Sequence, residues 1–572
     1  MQRVTIEKIE RQFYSHNLEL YNWEVVQQEL EQLLVEENID SKSKLIEFIN
    51  RFNEFYILLM EEYFWNFVNL SRDTNNQELK EKKEQFNDQI LNKAEDYFAK
   101  IKDKIFSSPF LDQLPERLYG NYKKILAKDN RIYTSTNNSL LARDEKLGYK
   151  YRELISNLSV SIDGEEKNLS QLKKELKHPN RAKRESAWRL LNKVVLENKD
   201  DFDQLFDEMV QVRTKVARNA GFNDYRDYKH LALGRFEYTP EDLEEFHKSV
   251  EKVVVPIVKE LNQEKKKILG IKKLRPWDVG INSLQRTLIP FQDSNELLDK
   301  TIKILNRINP YFAEKLIRIR EKGYFDLDTR KGKNPGGYCF TVENSGECFI
   351  FMNSTGNPRE TNILLHESGH CLHSFASAKY PIREYRMMNS PTEIIEFAAQ
   401  ILEIIGVEYL DEYYQSERDL KLAKRQQLES VIRGFIWRIT VDAFQHWVYT
   451  NPGHTAEERT EYFNTLINRF NPGIDWTGLE VEQGLKWLRT LHIFAMPFYY
   501  IEYAISQLGA IAFYKNFKQD KDKALQQYQE FLNLGYSRPI PELYKRAGVQ
   551  FNFSEKYLRE NIEFIKNEIE KL

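Results

Sequence analysis

His366-Glu367-Ser368-Gly369-His370 spaces two histidines by one helical turn and sets a glutamate beside the first of them. Residues four apart on an α-helix lie on the same face, so both imidazoles can point at one ion. Glu367 projects from a neighbouring part of the same helix surface. The run therefore predicts a helix that binds a metal ion and carries a carboxylate next to it.

The residues just before this helix predict a small antiparallel β-sheet. Residues 324–328, 338–342 and 348–352 are short aromatic and β-branched segments, and glycine-rich turns separate them. A loop over residues 353–359 then leads into the helix, which we expect to begin near Glu360. A sheet edge in this position can accept an extended peptide as an added strand, although an ordinary structural hairpin is the alternative.

The rest of the chain predicts a mainly α-helical protein. Only 23 Gly and 17 Pro interrupt 572 residues. Apolar residues recur at spacings of three and four, as at Leu45, Phe48, Phe52, Phe55 and Leu59. A chain of this length can bury one large core or divide into several helical lobes.

Charge, apolar segments and cysteine content indicate which partners and which compartment to expect. Lys+Arg (84) and Asp+Glu (87) leave a net charge of −3, which gives no electrostatic reason to expect nucleic acid or an anionic membrane. The segment from Met1 to Glu7 lacks the apolar core of a signal peptide, and no long uncharged apolar stretch follows it. Cys339, Cys348 and Cys371 cannot form a disulfide framework. We therefore expect a cytoplasmic protein.

The two histidines need a third ligand, because catalytic zinc takes three protein ligands and keeps one position open. Residues 390–400 predict a helix that begins near Pro391 and offers Glu393 and Glu396, which are neighbours on its surface. Both glutamates are candidates for the third ligand. His373 lies near the face of the two metal histidines, where it either hydrogen-bonds a ligand or packs in the core.

Glu367 stands where a general base is needed. A water bound to zinc has a pKa near neutrality, and a carboxylate beside it can take its proton and later return that proton to a leaving amine. The motif therefore predicts hydrolysis of amide bonds with one zinc ion per chain.

Such a reaction also needs donors for the developing negative charge, and an aromatic segment far downstream offers them. On an ideal helix His492, Tyr499 and Tyr503 fall within about 20° of one direction, while Tyr500 lies about 80° away. Pro497 can kink or begin the helix between the histidine and the tyrosines. An aromatic core stripe is the alternative interpretation.

Further segments around the motif carry a family resemblance. They are Leu274-Arg275-Pro276-Trp277-Asp278, Gly323-Tyr324-Phe325-Asp326-Leu327, Gly336-Gly337-Tyr338-Cys339, Phe351-Met352-Asn353, Pro391-Thr392-Glu393-Ile394-Ile395-Glu396, Pro497-Phe498-Tyr499-Tyr500-Ile501-Glu502-Tyr503 and Arg546-Ala547-Gly548-Val549. Together with the run from His366 to His373, they resemble the oligoendopeptidase F and thimet oligopeptidase family of zinc metallopeptidases, over about residues 155–560.

The resemblance implies roles for individual residues. It implies that His366, His370 and Glu396 bind zinc, that Glu367 is the base, and that Glu393 supports the ligands. It further implies transition-state donors and substrate contacts. The donors are His492, Tyr499 and Tyr503, with Tyr500 as a substrate contact or as the alternative to Tyr499, and the other substrate contacts are Gly336, Gly337 and Tyr338.

The resemblance also implies a fold, a two-lobed helical ellipsoid that encloses a deep substrate channel. We divide the chain into an N-terminal helical region, residues 1–155, and a catalytic helical region, residues 156–572, both enclosing the channel. The expected activity is zinc-dependent endopeptidase action on short unstructured oligopeptides. A metallocarboxypeptidase and a non-catalytic, zinc-containing peptide-binding protein are the alternatives, and the oligomeric state stays open.

Overall fold

The computed structural model describes residues 11–572 except residues 37, 163–164, 170–171, 173–174 and 282–287. It confirms the prediction of a mainly helical protein. Residues 1–10, which include the segment without signal-peptide character, lie outside the described residues. Within the described part of the chain, no helix combines the length and the apolar character that crossing a membrane requires.

The α-helices of the described residues succeed one another with short connections. Two of them are long, with 31 residues in Lys42–Arg72 and 34 in Glu417–Thr450. In chain order the helices are Trp23–Glu31, Lys42–Arg72, Gln77–Phe86, Asn92–Phe106, Glu116–Ile132, Asn138–Asn157, Arg181–Glu197, Lys199–Asn219, Tyr225–Ala232, Pro240–Ile268, Ser294–Ile308, Pro310–Glu321, Arg359–Ser377, Thr392–Ile405, Glu417–Thr450, Ala456–Phe470, Glu480–Gly484, Leu491–Ala495, Tyr500–Gln519, Lys521–Leu532, Ile540–Arg546 and Glu555–Glu570.

The strands of the described residues form two small sheets. The strands are β1 (Ser159–Ile162), β2 (Glu165–Asn168), β3 (Phe325–Asp328), β4 (Tyr338–Val342) and β5 (Glu347–Ser354). β1 and β2 pair antiparallel, and the second sheet has the order β3-β5-β4. The second sheet lies at the position that the sequence predicts, immediately before the helix of the two histidines.

This three-stranded sheet is mixed, so the prediction of an antiparallel sheet is wrong in one pairing. β4 and β5 form the expected antiparallel hairpin, with Tyr338 opposite Phe351. β3, however, runs parallel to β5 from Phe325 onward. The turn-rich residues 329–337 do reverse the chain, yet β5 inserts between the two strands that they connect. β5 takes the central position because residues 348–352 are buried on both of its faces, as in an inner strand.

The chain forms two compact units, each gathered from three segments. The first unit comprises Met1–Tyr133, Ile289–Ala423 and Gly509–Phe551, and the second comprises Thr134–Leu288, Lys424–Leu508 and Asn552–Leu572. The division into residues 1–155 and 156–572 rests on the reach of the sequence resemblance, and it stays a prediction.

Helix Lys42–Arg72 supplies much of the core of the first unit. Ser41 caps its N-terminus, and the five apolar positions predicted from Leu45 to Leu59 are all buried. Near its other end Phe64 lies 5.0 Å from the ring of Phe340 in β4. The helix therefore packs along the three-stranded sheet and helps to fix it.

The second unit has an aromatic core of its own. Phe206, Trp487 and Phe494 contact one another, with the last two rings stacked at 5.5 Å. The guanidinium of Arg459 lies fully buried against the first two rings, and its Nη2 donates to Asp203 Oδ1 at 2.8 Å. The buried charge is thus paired, as burial in an apolar core requires.

Candidate active site

The helix Arg359–Ser377, here the histidine helix, carries the HExxH run. Its entry is fixed by Glu360, whose Oε2 accepts the backbone N–H groups of Thr355, Gly356 and Asn357 at 2.8, 3.0 and 3.2 Å. At its other end Ser374 Oγ donates to the carbonyl of Gly346 at 2.8 Å. Both ends are therefore held by loops that connect to the sheet, so the histidines between them have a defined orientation.

The three predicted zinc ligands converge. The Nε2 atoms of His366 and His370 lie 3.2 Å apart, with their ring planes at 88°. Glu396 Oε2 lies 3.2 Å from His366 Nε2. One ligand atom from each of the three residues lies within 4.8 Å of the others. The structure thus brings together the set that the family resemblance assigns.

Glu396 lies on the helix Thr392–Ile405, here the glutamate helix, which runs very close to the histidine helix. A Cβ placed on Gly369 would lie 2.5 Å from the Cα of Ala399 and 2.9 Å from the carbonyl oxygen of Ala398. Only a residue without a side chain permits this approach. Gly369 therefore sets the distance at which Glu396 meets the two histidines.

The spacing of these ligand atoms fits zinc. Nitrogen and oxygen ligands lie about 2.0 to 2.2 Å from zinc, so a tetrahedral site separates neighbouring ligand atoms by about 3.3 to 3.6 Å. The observed separations of 3.2 Å from His366 are close to that value. His370 and Glu396 are 8% and 3% exposed. Buried polar atoms that converge in this way need a common partner, and a cation provides one.

The pKa values of the two histidines shift in opposite directions, because different groups surround the two rings. Burial alone would lower the pKa of His366, but the carboxylates of Glu396 and Glu403 outweigh it and raise that pKa well above its usual value. Burial, with His366 nearby, lowers the pKa of His370 to about 4. Neutral His370 therefore presents a lone pair, which is the form that a metal ligand needs.

Glu403 is a site residue that the sequence reasoning missed. Its Oε2 lies 3.4 Å from Nδ1 of His366, the ring nitrogen on the side away from the ligand cluster. A carboxylate in that position orients a metal-bound imidazole and raises its basicity. The sequence does contain a signal for this residue, because Glu403 follows Glu396 by about two helical turns and so lies on the same face of the helix.

Replacing Glu403 by glutamine is expected to weaken zinc binding by about 10- to 100-fold, since such partners of ligating histidines contribute that much. Competition against a chromophoric chelator measures the change. Glu412→Gln is the matched control, because Glu412 pairs with Arg307 instead of a ligand. Equal zinc affinity of the two variants would contradict the role given to Glu403.

Glu367 is buried beside its neighbour His366, with 7% of its surface exposed. Burial raises the pKa of its carboxyl to about 7, and His366 opposes this rise. A carboxyl with a pKa near the working pH can both accept and release a proton. Position and environment therefore fit the predicted general base.

Glu393 and His373 lie outside the group of three predicted ligands. Glu393 is fully buried, and among the described residues the ligand group contains Glu396 instead. His373 stacks on Phe531 at 5.9 Å, and in the described part of the chain neither of its ring nitrogens has a hydrogen-bond partner. The geometry therefore favours Glu396 as the third ligand, while the supporting roles of Glu393 and His373 stay predictions.

The predicted substrate segment leads into β4, which begins at Tyr338 and is an edge strand of the three-stranded sheet. Gly336 has a φ of 99°, which a residue with a side chain rarely adopts. Asn353 in β5 fixes this loop, because its Nδ2 donates to the carbonyl of Gly336 at 2.9 Å. Gly337 is exposed, and the Tyr338 ring stacks on Phe351 at 4.7 Å. The segment is thus an ordered edge with glycines accessible to solvent.

The helix that the sequence predicts through the downstream aromatic residues is broken. Leu491–Ala495 ends before Pro497, and the next helix begins only at Tyr500. Between them Phe498 has a φ of 66°. Angles taken from a continuous helix therefore do not apply, and the interruption that the sequence allows at Pro497 is present.

The break gathers all four predicted side chains into one group, here the aromatic cluster. The ring of His492 lies 4.6 Å from Tyr500, 5.6 Å from Tyr499 and 6.0 Å from Tyr503. The aromatic cluster belongs to the second unit, whereas the three predicted zinc ligands belong to the first. Tyr500 is the tyrosine whose ring lies nearest to that of the histidine, although ideal-helix geometry turned it about 80° from the direction of the others.

Buried polar side chains hold the backbone at this break. The N–H of Phe498 donates to Gln445 Oε1 at 3.2 Å, and its carbonyl accepts from Arg235 Nη2 at 2.5 Å. Arg235 also pairs with Glu502 at 2.7 Å, and both side chains are 1% exposed. A positive φ at a non-glycine residue costs about 1 to 3 kcal/mol and persists only where surrounding contacts enforce it. These contacts therefore shape the aromatic cluster.

The fold and the ligand group together define a mainly helical protein with a candidate metal site built on an HExxH helix. The chain belongs to peptidase family M3, since the model of that family matches residues 175–563, more than half of its length. This confirms the resemblance that the sequence segments carry.

Known relatives agree with this assignment. An oligoendopeptidase F homologue of Borreliella burgdorferi is 27% identical over 303 residues, 50% of this chain and 49% of that protein. Oligopeptidase PepF of Bacillus subtilis is 23% identical over 370 residues, 62% of this chain and 54% of that protein. The match thus spans about half the length of each curated relative. The solved structure of PZ peptidase A with inhibitor 2 has a TM-score of 0.91 and 26% identity, over 98% of this chain and 99% of that one.

Proposed function

We propose that this protein is a zinc-dependent endopeptidase that hydrolyses internal bonds of short, unstructured oligopeptides. The observation that carries the proposal is the convergence of His366, His370 and Glu396 at zinc-ligand spacing with Glu367 beside them. The names of the relatives, oligoendopeptidase F homologue and oligopeptidase, support the substrate class. The limit to short peptides rests on the channel that the family resemblance implies, which stays a prediction.

In this proposal each residue of the ligand group has one task. Zinc, when bound, lowers the pKa of a coordinated water and polarises the scissile carbonyl. His366, His370 and Glu396 hold the ion and leave one position open. A carboxylate oxygen of Glu367 accepts the proton of the attacking water and passes it to the leaving amine.

The aromatic cluster supplies the proposed oxyanion donors. His492, Tyr499 and Tyr503 donate hydrogen bonds to the developing negative charge, and Tyr500 contacts the substrate. Burial raises the pKa of Tyr500, while Trp437 and Arg438 oppose the rise. Its hydroxyl therefore keeps its proton at neutral pH and remains a hydrogen-bond donor, so it is also the alternative to Tyr499.

The edge strand β4 is the proposed docking line for the substrate backbone. An extended peptide can add to such an edge as a further strand. Gly336 and Gly337 let the peptide approach closely because neither presents a side chain. Tyr338 then marks the point where the substrate leaves the glycines and runs along the strand.

We place the protein in the cytoplasm. Cys339, Cys348 and Cys371 are all buried and free. Free thiols are the normal state of cysteines in a reducing compartment. The oligomeric state stays open.

Digestion of a diverse library of short peptides by the zinc-loaded protein tests the proposal, with products identified by mass spectrometry. We expect cleavage at internal bonds, loss of turnover in the presence of a chelator, and recovery when zinc is added back. Stepwise loss of C-terminal residues would instead indicate a metallocarboxypeptidase. Tight peptide binding by fully zinc-loaded protein without any products would indicate a peptide-binding protein.

A further inference from the structure

A second group of metal-binding side chains lies within the second unit and takes no part in the proposed reaction. His247, Asp442 and His446 each offer one ligand atom, and these atoms lie within 4.8 Å of one another. The three residues are 5%, 0% and 6% exposed. A buried cluster of two imidazoles and a carboxylate is the kind of donor set that binds zinc.

Two long helices build this group. Asp442 and His446 are four apart on helix Glu417–Thr450 and so lie on the same face, as His366 and His370 do on theirs. His247 comes from helix Pro240–Ile268. The group therefore repeats the construction of the candidate active site, with a pair on one helix and a single ligand from another.

Hydrogen bonds within the protein satisfy only part of this group. Asp442 Oδ2 lies 2.8 Å from His247 Nε2, which is a good hydrogen bond, and 3.3 Å from His446 Nε2. Among the described residues, however, neither Asp442 Oδ1 nor His446 Nε2 has a hydrogen-bond partner. A buried carboxylate oxygen and a buried imidazole nitrogen without partners are costly, and both are ligand atoms that a cation would satisfy.

A carboxylate also stands behind one of the two imidazoles. Glu244 Oε1 is 3.9 Å from Nδ1 of His446, the ring nitrogen that faces away from Asp442. At 3.9 Å this is an ion-pair distance and not a hydrogen bond, but a small movement of the half-exposed Glu244 side chain would let it accept from Nδ1, which favours the tautomer that presents Nε2 to a metal. Glu403 lies on the corresponding side of His366 and is closer, at 3.4 Å.

We propose that His247, Asp442 and His446 bind a second divalent cation, for which zinc is the best match. Two imidazole nitrogens and one carboxylate oxygen of Asp442 would give three protein donors, and a water molecule would complete a tetrahedral zinc site. The 3.3 Å separation from His446 already suits tetrahedral ligands. The 2.8 Å separation from His247 must open by about half an ångström.

A cation in this site would act on the shape of the aromatic cluster. The His446 ring lies 5.5 Å from the ring of Phe498, the residue with the positive φ. The preceding residue, Gln445, accepts the hydrogen bond from the N–H of Phe498. Fixing Asp442 and His446 to the helix of His247 therefore also fixes the contacts that hold the break before Tyr500.

Counting zinc per chain by mass spectrometry of the metal tests this proposal. Wild-type protein loaded with zinc and freed of excess metal is expected to hold two ions per chain. The double variant His366→Ala/His370→Ala is expected to retain one, because its second group is unchanged. One ion in the wild type, or none in the double variant, would overturn the proposal, and neither measurement depends on a variant of the second group.

A variant of the second group locates the second ion. His446→Gln is expected to lower the count from two to one, with the remaining ion still removed by the His366→Ala/His370→Ala change. His454→Gln is the control, since His454 lies in the same unit and bonds the carbonyl of Asn451 rather than either ligand group. If His446→Gln kept both ions, the assigned residues would be wrong.

Discussion

Replacing Glu367 by glutamine is expected to lower kcat by about 10²- to 10⁴-fold, the range over which general acid–base catalysis contributes. The amide is nearly the same size as the carboxylate, so the buried environment of the side chain is preserved. It cannot accept a proton, however, and the attacking water then loses its base. The zinc content is expected to remain at the wild-type level, because Glu367 is not in the ligand group.

Peptide turnover and zinc content, measured on the same preparation, separate these two effects. Ser368→Ala is the matched control, since Ser368 is the next residue and its hydroxyl donates to the carbonyl of Leu364 at 2.6 Å, within the helix. Its turnover should stay within about twofold of the wild type, because the lost hydrogen bond runs to the backbone of the same helix and involves neither a predicted ligand nor the base. Near-normal turnover of Glu367→Gln would show that another group is the base.

Local patterns explain why so much of the fold is predictable from the sequence. The histidine helix, the glutamate helix and the stripe from Leu45 to Leu59 each depend on spacings of three and four, and the structure confirms all of them. The pairing of β3 with β5 depends instead on which strand occupies the middle of the sheet. The apolar run in residues 348–352 contains that information, but it is weaker than a turn signal.

The same distinction explains what the sequence misses at the sites. His366 and His370 follow from a one-turn spacing, and Glu403 lies two turns after Glu396, so both relations are local. The aromatic cluster is different, because its geometry depends on a helix break that Arg235 holds from a distant part of the chain. Side-chain contacts between distant segments leave no periodic trace in the sequence.

Gly369 is the one residue of the HExxH run whose lack of a side chain controls the ligand geometry. An alanine there would put Cβ 2.5 Å from the Cα of Ala399, and real Cβ atoms do not approach other atoms so closely. The obstruction is backbone of the glutamate helix, not the movable end of a side chain. The two helices must therefore separate, and Glu396 moves away from the histidines with its helix.

Gly369→Ala is accordingly expected to destabilise the protein by about 1 to 3 kcal/mol, the usual cost of overpacking a core. Zinc affinity should fall by at least about a hundredfold, more than removal of a supporting partner such as Glu403 costs, because a ligand itself is displaced. Chemical denaturation and chelator competition measure the two quantities.

Gly120→Ala is the matched control: it lies in helix Glu116–Ile132, and its new Cβ would meet only the flexible Glu116 side chain. There the substitution should leave zinc affinity unchanged and raise stability slightly, by up to about 1 kcal/mol, since alanine favours a helix over glycine. If Gly369→Ala behaved like this control, the close approach of the two helices would not be what positions Glu396.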